Sequence, residues 1–314
     1  MEQFDPKRDL AARVAWMYYV EGLTQDQIGQ RLNLSRPAAQ RMLALAGAEG
    51  LIKVRLDHPI RECMELARAL CQRYDLQYCD VVPRRSDETS LRPLAVLGAA
   101  KLESYLVQER PLVIGISTGR TLRAIVDEVS HVERPQHRLV SLVGIIAPDG
   151  STNPFEAITW LADKTKARSY QLPVPAVADS PQDREHLQQH RLYRLVCELA
   201  QSADVSFVGI GTIDAEAPLL KDGFITLEQV NELRAQGAVG EMVGWVFDDQ
   251  GRPLDTLINQ RVTSVPLARP PQRLRIGAAC GMAKFAAIRA ALRGRWISGL
   301  ITDEQVARAL LEQP

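Results

Sequence analysis

Residues 24–56 read TQDQIGQRLNLSRPAAQRMLALAGAEGLIKVRL, and their spacing predicts two short helices joined by a tight turn, then a strand. Thr24 can cap the first helix by accepting from an unpaired backbone N–H. Gln27, three residues on, completes a capping box. Ile28 and Leu32 are four apart and share one face. Asn33-Leu34-Ser35 breaks the helix, because Asn tolerates a turn and Ser35 can cap the next helix. Pro37 falls in the first turn of that second helix, where a missing N–H does no harm. Ala39, Leu43 and Ala46 form a narrow buried face, which leaves Arg36, Gln40 and Arg41 pointing outward together. Leu51–Leu56 alternates in polarity and reads as a short strand or wing. A short helix, a tight turn and a polar second helix is the geometry that sets side chains in a DNA major groove. An ordinary helical hairpin with a solvated charged face shows the same pattern.

Charge favours the DNA reading locally. Over residues 28–55, Arg31, Arg36, Arg41, Lys53 and Arg55 stand against Glu49 alone, a net charge of +4. The whole chain of 314 residues is neutral, with 38 basic and 38 acidic residues. A basic patch on a neutral body suits a protein that meets phosphates with one small domain. The length predicts two domains, 1–57 and 58–314, with His58-Pro59 at the boundary. No apolar run has the length of a membrane helix, and MEQFDPKRDL carries no signal segment. Five cysteines (Cys63, Cys71, Cys79, Cys197, Cys280) form no CxxC pair, so free thiols and a cytoplasmic location are expected.

Residues 1–9 read as a loose polar arm, and a helix is expected from Ala11 to near Gly22. Beyond His58 the pattern becomes α/β. Helices are expected at 60–74, 94–107, 121–129, 155–167, 184–201, 226–236, 282–292 and 303–311. Strands are expected at 78–82, 112–116, 139–146, 170–174, 205–210, 243–247 and 273–279. Short apolar strands alternating with helices predict a mostly parallel sheet covered on both faces.

In such sheets a ligand sits outside the carboxyl ends of the strands. Ser117-Thr118-Gly119-Arg120-Thr121 comes after one strand and opens a helix, the chemistry of an anion cradle. A plain strand-to-helix turn is the competing reading. Gly209 and Gly211 mark a second exit. The third runs from Ala279 to Lys284, where a lysine in a first helical turn opposes the helix dipole and suits an anion. Glu241, between apolar neighbours, can accept from sugar hydroxyls. His186 and His190 are four apart but lack a third ligand, so neither a metal site nor a cofactor is expected.

With these residues in hand, the chain resembles the SorC family of sugar-responsive bacterial transcription regulators. The likeness rests on LTQDQIGQRLNLSRPAAQRMLALAGAEGLIKV, IGISTGRTL, LVGIIAP, NPFEAITWLADK, LPVPAVADSPQDRE, ADVSFVGIGTI, GAVGEMVGWVFDDQGRPLDT, INQRV, AIRAALRG and LITDEQVARALL. The resemblance implies a helix-turn-helix domain joined to an effector domain with the fold of sugar-phosphate isomerases. It implies a cytoplasmic homo-oligomer, usually a tetramer, whose affinity for operator DNA changes when a sugar, polyol or sugar phosphate binds. Gly119-Arg120-Thr121 falls on the family's effector loop, Glu241 on its acidic sugar-contacting position and Lys284 on its phosphate-contacting position. The family commonly has Asp where Glu241 stands, so the longer arm alters the pocket's reach.

The expected DNA contacts are Thr24, Gln25, Arg31, Ser35, Arg36, Gln40, Arg41 and Lys53, with Arg36, Gln40 and Arg41 nearest the bases. Arg31, Lys53 and Arg55 are placed on the phosphate backbone. The expected effector contacts are Ser117, Thr118, Gly119, Arg120, Thr121, Gly209, Gly211, Glu241 and Lys284. The rival is a sugar-phosphate isomerase with an added helical domain, in which Glu241 and Lys284 supply acid and base.

Overall fold

A computed structural model of the chain describes residues 5–52, 58, 60–83, 90–146, 150–151 and 155–313. The chain divides into two units, Met1–His58 and Pro59–Pro314.

The first unit holds α1 (Pro6–Tyr19), α2 (Gln25–Leu32) and α3 (Arg36–Ala48). The helix expected from Ala11 begins five residues earlier. Asp5 accepts from the backbone N–H of Lys7 at 2.9 Å and of Arg8 at 3.4 Å, and Pro6 takes the first helical position, where its ring is pre-shaped for a helix. The expected arm is therefore helical from Pro6. Ala11, Val14 and Ala15 pack on Ile28, Ala39 and Ala46 with Met42 and Leu43 at their edge. The Thr24–Gln27 capping box is reciprocal, at 2.9 and 3.3 Å. Asn33 is left-handed, φ 54°, and Ser35 caps α3 through the Ala38 N–H at 3.3 Å. The turn presses on α2: a Cβ at Gly29 would sit 2.6 Å from the Leu34 carbonyl oxygen. The wing expected at 51–56, with Lys53 and Arg55, lies largely outside the described residues.

The second unit runs α4 (Ile60–Tyr74), β1 (Tyr78–Val82), α5 (Arg92–Leu106), β2 (Val113–Ile116), α6 (Arg120–Glu128), β3 (Arg138–Ile146), α7 (Ile158–Thr165) and β4 (Arg168–Pro175). Next come α8 (Pro181–Gln189), α9 (Arg191–Gln201), β5 (Val205–Gly209), β6 (Gly211–Thr212), α10 (Pro218–Lys221), α11 (Leu227–Ala235), β7 (Gly240–Met242) and β8 (Trp245–Phe247). The chain ends in α12 (Leu257–Arg261), β9 (Leu274–Ala278), a 3-10 turn (Met282–Lys284), α13 (Phe285–Arg293), β10 (Gly299–Asp303) and α14 (Glu304–Glu312).

Seven strands form one sheet in the order β1-β10-β9-β5-β2-β3-β4, and every neighbouring pair is parallel. Successive side chains alternate between the faces. Val205 and Phe207 join a core with residues of α5, α6 and α7. Val208 joins the opposite core with residues of α4, α9, α13 and α14. Helices thus cover both faces, as parallel pairing requires.

Three expectations change. The helix expected at 184–201 is two helices, broken at His190, whose Nδ1 accepts from the Leu192 N–H at 3.3 Å and caps α9. The strand expected at 243–247 is the turn and second arm of the β7–β8 hairpin, reversing at Val243 (φ 56°) and Gly244 (φ 84°). Strand β10 is an addition, because GLITD is short and its Gly, Thr and Asp hide it among turn residues. No helix among the described residues is long and apolar enough to cross a membrane, and none of the five cysteines forms a disulfide among the described residues.

Gly29→Val forces the added side chain against the Leu34 carbonyl. Overpacking of this kind costs about 1–3 kcal/mol. Circular dichroism melts should show that loss in the first unit and leave the second unit's transition in place.

Candidate functional site

The ladder decides what can meet. Ile116 lies opposite Phe207, and Gly209 opposite Ala278, so the exits of β2, β5 and β9 open side by side. Past its exit, β5 continues into β6, where Gly211 pairs with Glu241 on β7. Asn259 pins the hairpin from α12: its carbonyl accepts from the Val246 N–H at 2.8 Å, and its amide donates to the Val246 carbonyl at 2.8 Å. These segments enclose a cavity of about 380 Å³.

Thr118, Gly119, Arg120, Thr121, Gly209, Gly211, Glu241 and Lys284 all line that cavity. Ser117 does not. It is buried, and its Oγ accepts from the Gly209 N–H at 3.2 Å, tying β2 to β5 behind the wall. Gly119 adopts φ 121° at the start of α6, which lacks a side-chain cap among the described residues, so its first N–H groups have no side-chain acceptor there.

Glu241 is 9% exposed. One carboxylate oxygen accepts from the Gly244 N–H at 3.0 Å. The other occupies space that only glycine leaves open: a Cβ at Gly211 would lie 2.0 Å from it. Burial pushes the Glu241 carboxyl above its ordinary value, against the pull of the Gly244 N–H and the Lys284 charge. Burial likewise lowers the Lys284 ammonium, against the Glu241 charge. Lys284 Nζ donates to the Ile210 carbonyl at 2.8 Å. Val243, a β-branched residue at positive φ, also lines the cavity. Such strain persists only where the surroundings hold it, and it clusters at functional sites.

Sequence reasoning missed the segment around α10. Asp222 pairs with Arg120 at 2.9 Å, and the Arg120 guanidinium lies 4.2 Å from the Phe155 ring centroid. Lys221 pairs with Glu216. A four-residue helix has no readable periodicity, and Asp222 meets Arg120 across 102 residues. Ser264 was missed as well. It lines the cavity, and its buried Oγ has no hydrogen-bond partner among the described residues. The only hint in the sequence was its place just after INQRV.

In the first unit, Thr24, Arg31, Ser35, Arg36, Gln40 and Arg41 are exposed and Gln25 is half-buried. Two of the cations are already paired, Arg31 with Glu21 at 2.7 Å and Arg36 with Asp26 at 3.8 Å. The +4 patch counted over 28–55 is thus partly neutralised by acids numbered outside that window. Arg41 makes no ion pair among the described residues. Lys53 lies outside them.

The family model described as "Putative sugar-binding domain" matches residues 58–312. The chain is 37% identical over 311 residues to the erythritol catabolism regulatory protein EryD of Brucella abortus, covering 99% of this chain and 98% of that protein. It is 33% identical over 312 residues to the transcriptional regulator LsrR of Klebsiella pneumoniae subsp. pneumoniae, covering 97% and 93%. The crystal structure of the full-length sorbitol operon regulator SorC from Klebsiella pneumoniae matches with a TM-score of 0.70 at 26% identity, covering 98% of this chain and 100% of that one. The chain belongs to the SorC family of sugar-responsive transcriptional regulators.

The raised Glu241 pKa has a signed consequence. The folded state binds the proton more tightly than the unfolded state, whose value is near the ordinary 4.5, so stability falls as pH rises from 4.5 through the folded value. Glu241→Gln removes that penalty and keeps an acceptor for Gly244. Its melting temperature should exceed the wild type's at neutral pH, by roughly 2–4 °C per kcal/mol in a unit this size. The gap should close as pH falls below 4.5. A gap independent of pH would contradict the assignment.

Proposed function

We propose that the first unit reads operator DNA and that the cavity of the second unit takes a sugar, polyol or sugar phosphate which alters that reading. The observation that carries this is the convergence of three strand exits and a hairpin on one cavity holding a buried carboxylate and a half-buried lysine. Glu241 accepts from a pair of hydroxyls, a geometry that neighbouring carbons of a polyol present. Lys284 and the uncapped start of α6 favour an oxygen-rich or anionic end of the ligand. The names of the relatives, which point to erythritol catabolism and a sorbitol operon, support a polyol or sugar class.

On the DNA side, Arg36, Gln40 and Arg41 are exposed on the second helix of the motif, where base edges are read. Arg31, Ser35, Thr24, Gln25 and Lys53 hold the backbone in this reading. The protein acts as a homo-oligomer in the cytoplasm, a tetramer on the family's pattern, so the operator is an imperfect palindrome. It is a binding protein and no catalyst: Glu241 and Lys284 are each held by a backbone group. Their mutually opposed pKa shifts are the one feature that favours the isomerase rival. Turnover of hexose or pentose phosphates by purified protein, lost in Lys284→Ala, would establish that rival.

Two measurements test the proposal. Arg36→Ala should lose about 1–3 kcal/mol of discrimination between operator and random DNA in gel shifts at fixed salt. Unchanged discrimination rejects the contact. A thermal-shift screen of sugars, polyols and their phosphates should yield a compound that stabilises the second unit by about 2.7 kcal/mol at a hundred times its Kd. Retention of that shift in Lys284→Ala would remove Lys284 from the site.

A further inference from the structure

A second cavity, about 390 Å³, opens at the opposite, amino-terminal end of the same two strands. Ser206 on β5 lies opposite Arg275 on β9, and both line it. Gly209, at the rim of the first cavity, is three residues further along β5, about 10 Å at ~3.3 Å per residue. The floor is open because the sheet face here carries small residues: a Cβ at Gly115 would lie 2.6 Å from the Ser206 Oγ.

Arg275 is 9% exposed, yet no carboxylate pairs with it among the described residues. One nitrogen, Nη1, donates to the carbonyls of Ala268 and Trp296 at 3.0 and 2.8 Å. The Nε and Nη2 donors have no acceptor among the described residues and are not among the enclosed, unpartnered atoms. Arg273, in the bend just before β9, lines the cavity too, with Gln272 and Gln201. No acidic residue among the described ones lines it. A buried charge without a counter-charge is costly, and burial alone pushes the Arg275 guanidinium down to about 10. A planar fork with free donors matches a carboxylate or phosphate in bidentate fashion.

We infer that this second cavity is a binding site for a small oxyanion, a phosphate or polycarboxylate metabolite, gripped by Arg275 and Arg273 and separate from the sugar cavity. The site gives the protein a second chemical input on β5 and β9. It does not rest on the identity of the first ligand.

The test titrates the full chain with inorganic phosphate and, separately, with citrate, against sodium chloride at matched ionic strength, by calorimetry and thermal melts. At least one of the two anions should bind and stabilise beyond the chloride control. Phosphate alone identifies a phosphate site, citrate alone a polycarboxylate site, and both a general oxyanion site. Arg273→Ala should weaken binding tenfold or more, and Arg275→Lys, which keeps charge but loses the fork, should weaken it as well. Lys284→Met, in the other cavity, should leave it unchanged. Arg273 is exposed, so its variant folds and keeps the test sound if Arg275→Lys does not. Stabilisation equal to that of chloride, unaltered binding in Arg273→Ala, or loss of binding in Lys284→Met would each overturn the site.

Discussion

Strand β5 lies between β2 and β9, parallel to both, and the chemistry of the second unit depends on that placement. A parallel neighbour sends its carboxyl end to the same edge. Three exits therefore open together: Gly119 with its uncapped helix, Gly209 leading to Gly211, and the turn that carries Lys284. The chain order is not the spatial order. β2 leads outward to β3 and β4, and β5 returns to β2's other side. That reversal is where open α/β sheets form a crevice.

The residues inside the crevice are poor choices for stability. Glu241 is buried and Lys284 half-buried, and desolvation works against the charge on each. Apolar replacements would pack without that penalty. Val243 adds backbone strain, and the Ser264 hydroxyl is unmet among the described residues. The proposed effector site accounts for their common location around one cavity, since a ligand rich in hydroxyls would supply the missing partners. Gly211 makes the arrangement feasible, since any larger residue would displace the carboxylate. The Arg120–Asp222 pair lines the cavity and holds one cation that an anionic ligand could compete for.

Much of this is legible in the residues. Apolar runs such as VIGI and VSFVG announce buried strands, and helices with one apolar stripe announce themselves by spacing. Thr24, Gln27, Asn33 and Ser35 carry their capping and turn chemistry in their side chains, and each does locally what its type favours. The failures have equally local causes. Pro6 reads as a breaker although it is at home in a first turn. His190 stops a helix by a side-chain cap that no periodicity reveals. Asp222 and Ser264 reach the cavity through tertiary contacts, so neither leaves a trace in spacing. Arg31 and Arg36 count as free cations in the sequence because their partners, Glu21 and Asp26, are close in space and lie outside the window.

Regulation requires that effector and DNA each prefer one state of the protein, and linkage makes the effect of each on the other equal. Under the proposed function, operator affinity should therefore depend on the second unit's cavity. Gly211→Ala is the sharpest probe, because its single methyl meets the Glu241 carboxylate and leaves α2 and α3 untouched. The decisive measurement is operator Kd with and without saturating effector, in wild type and in this variant. The expected result is a shift of roughly 5–150-fold in wild type, with the shift lost and effector-free affinity retained in Gly211→Ala. A wild-type-sized shift in the variant would contradict control through this cavity.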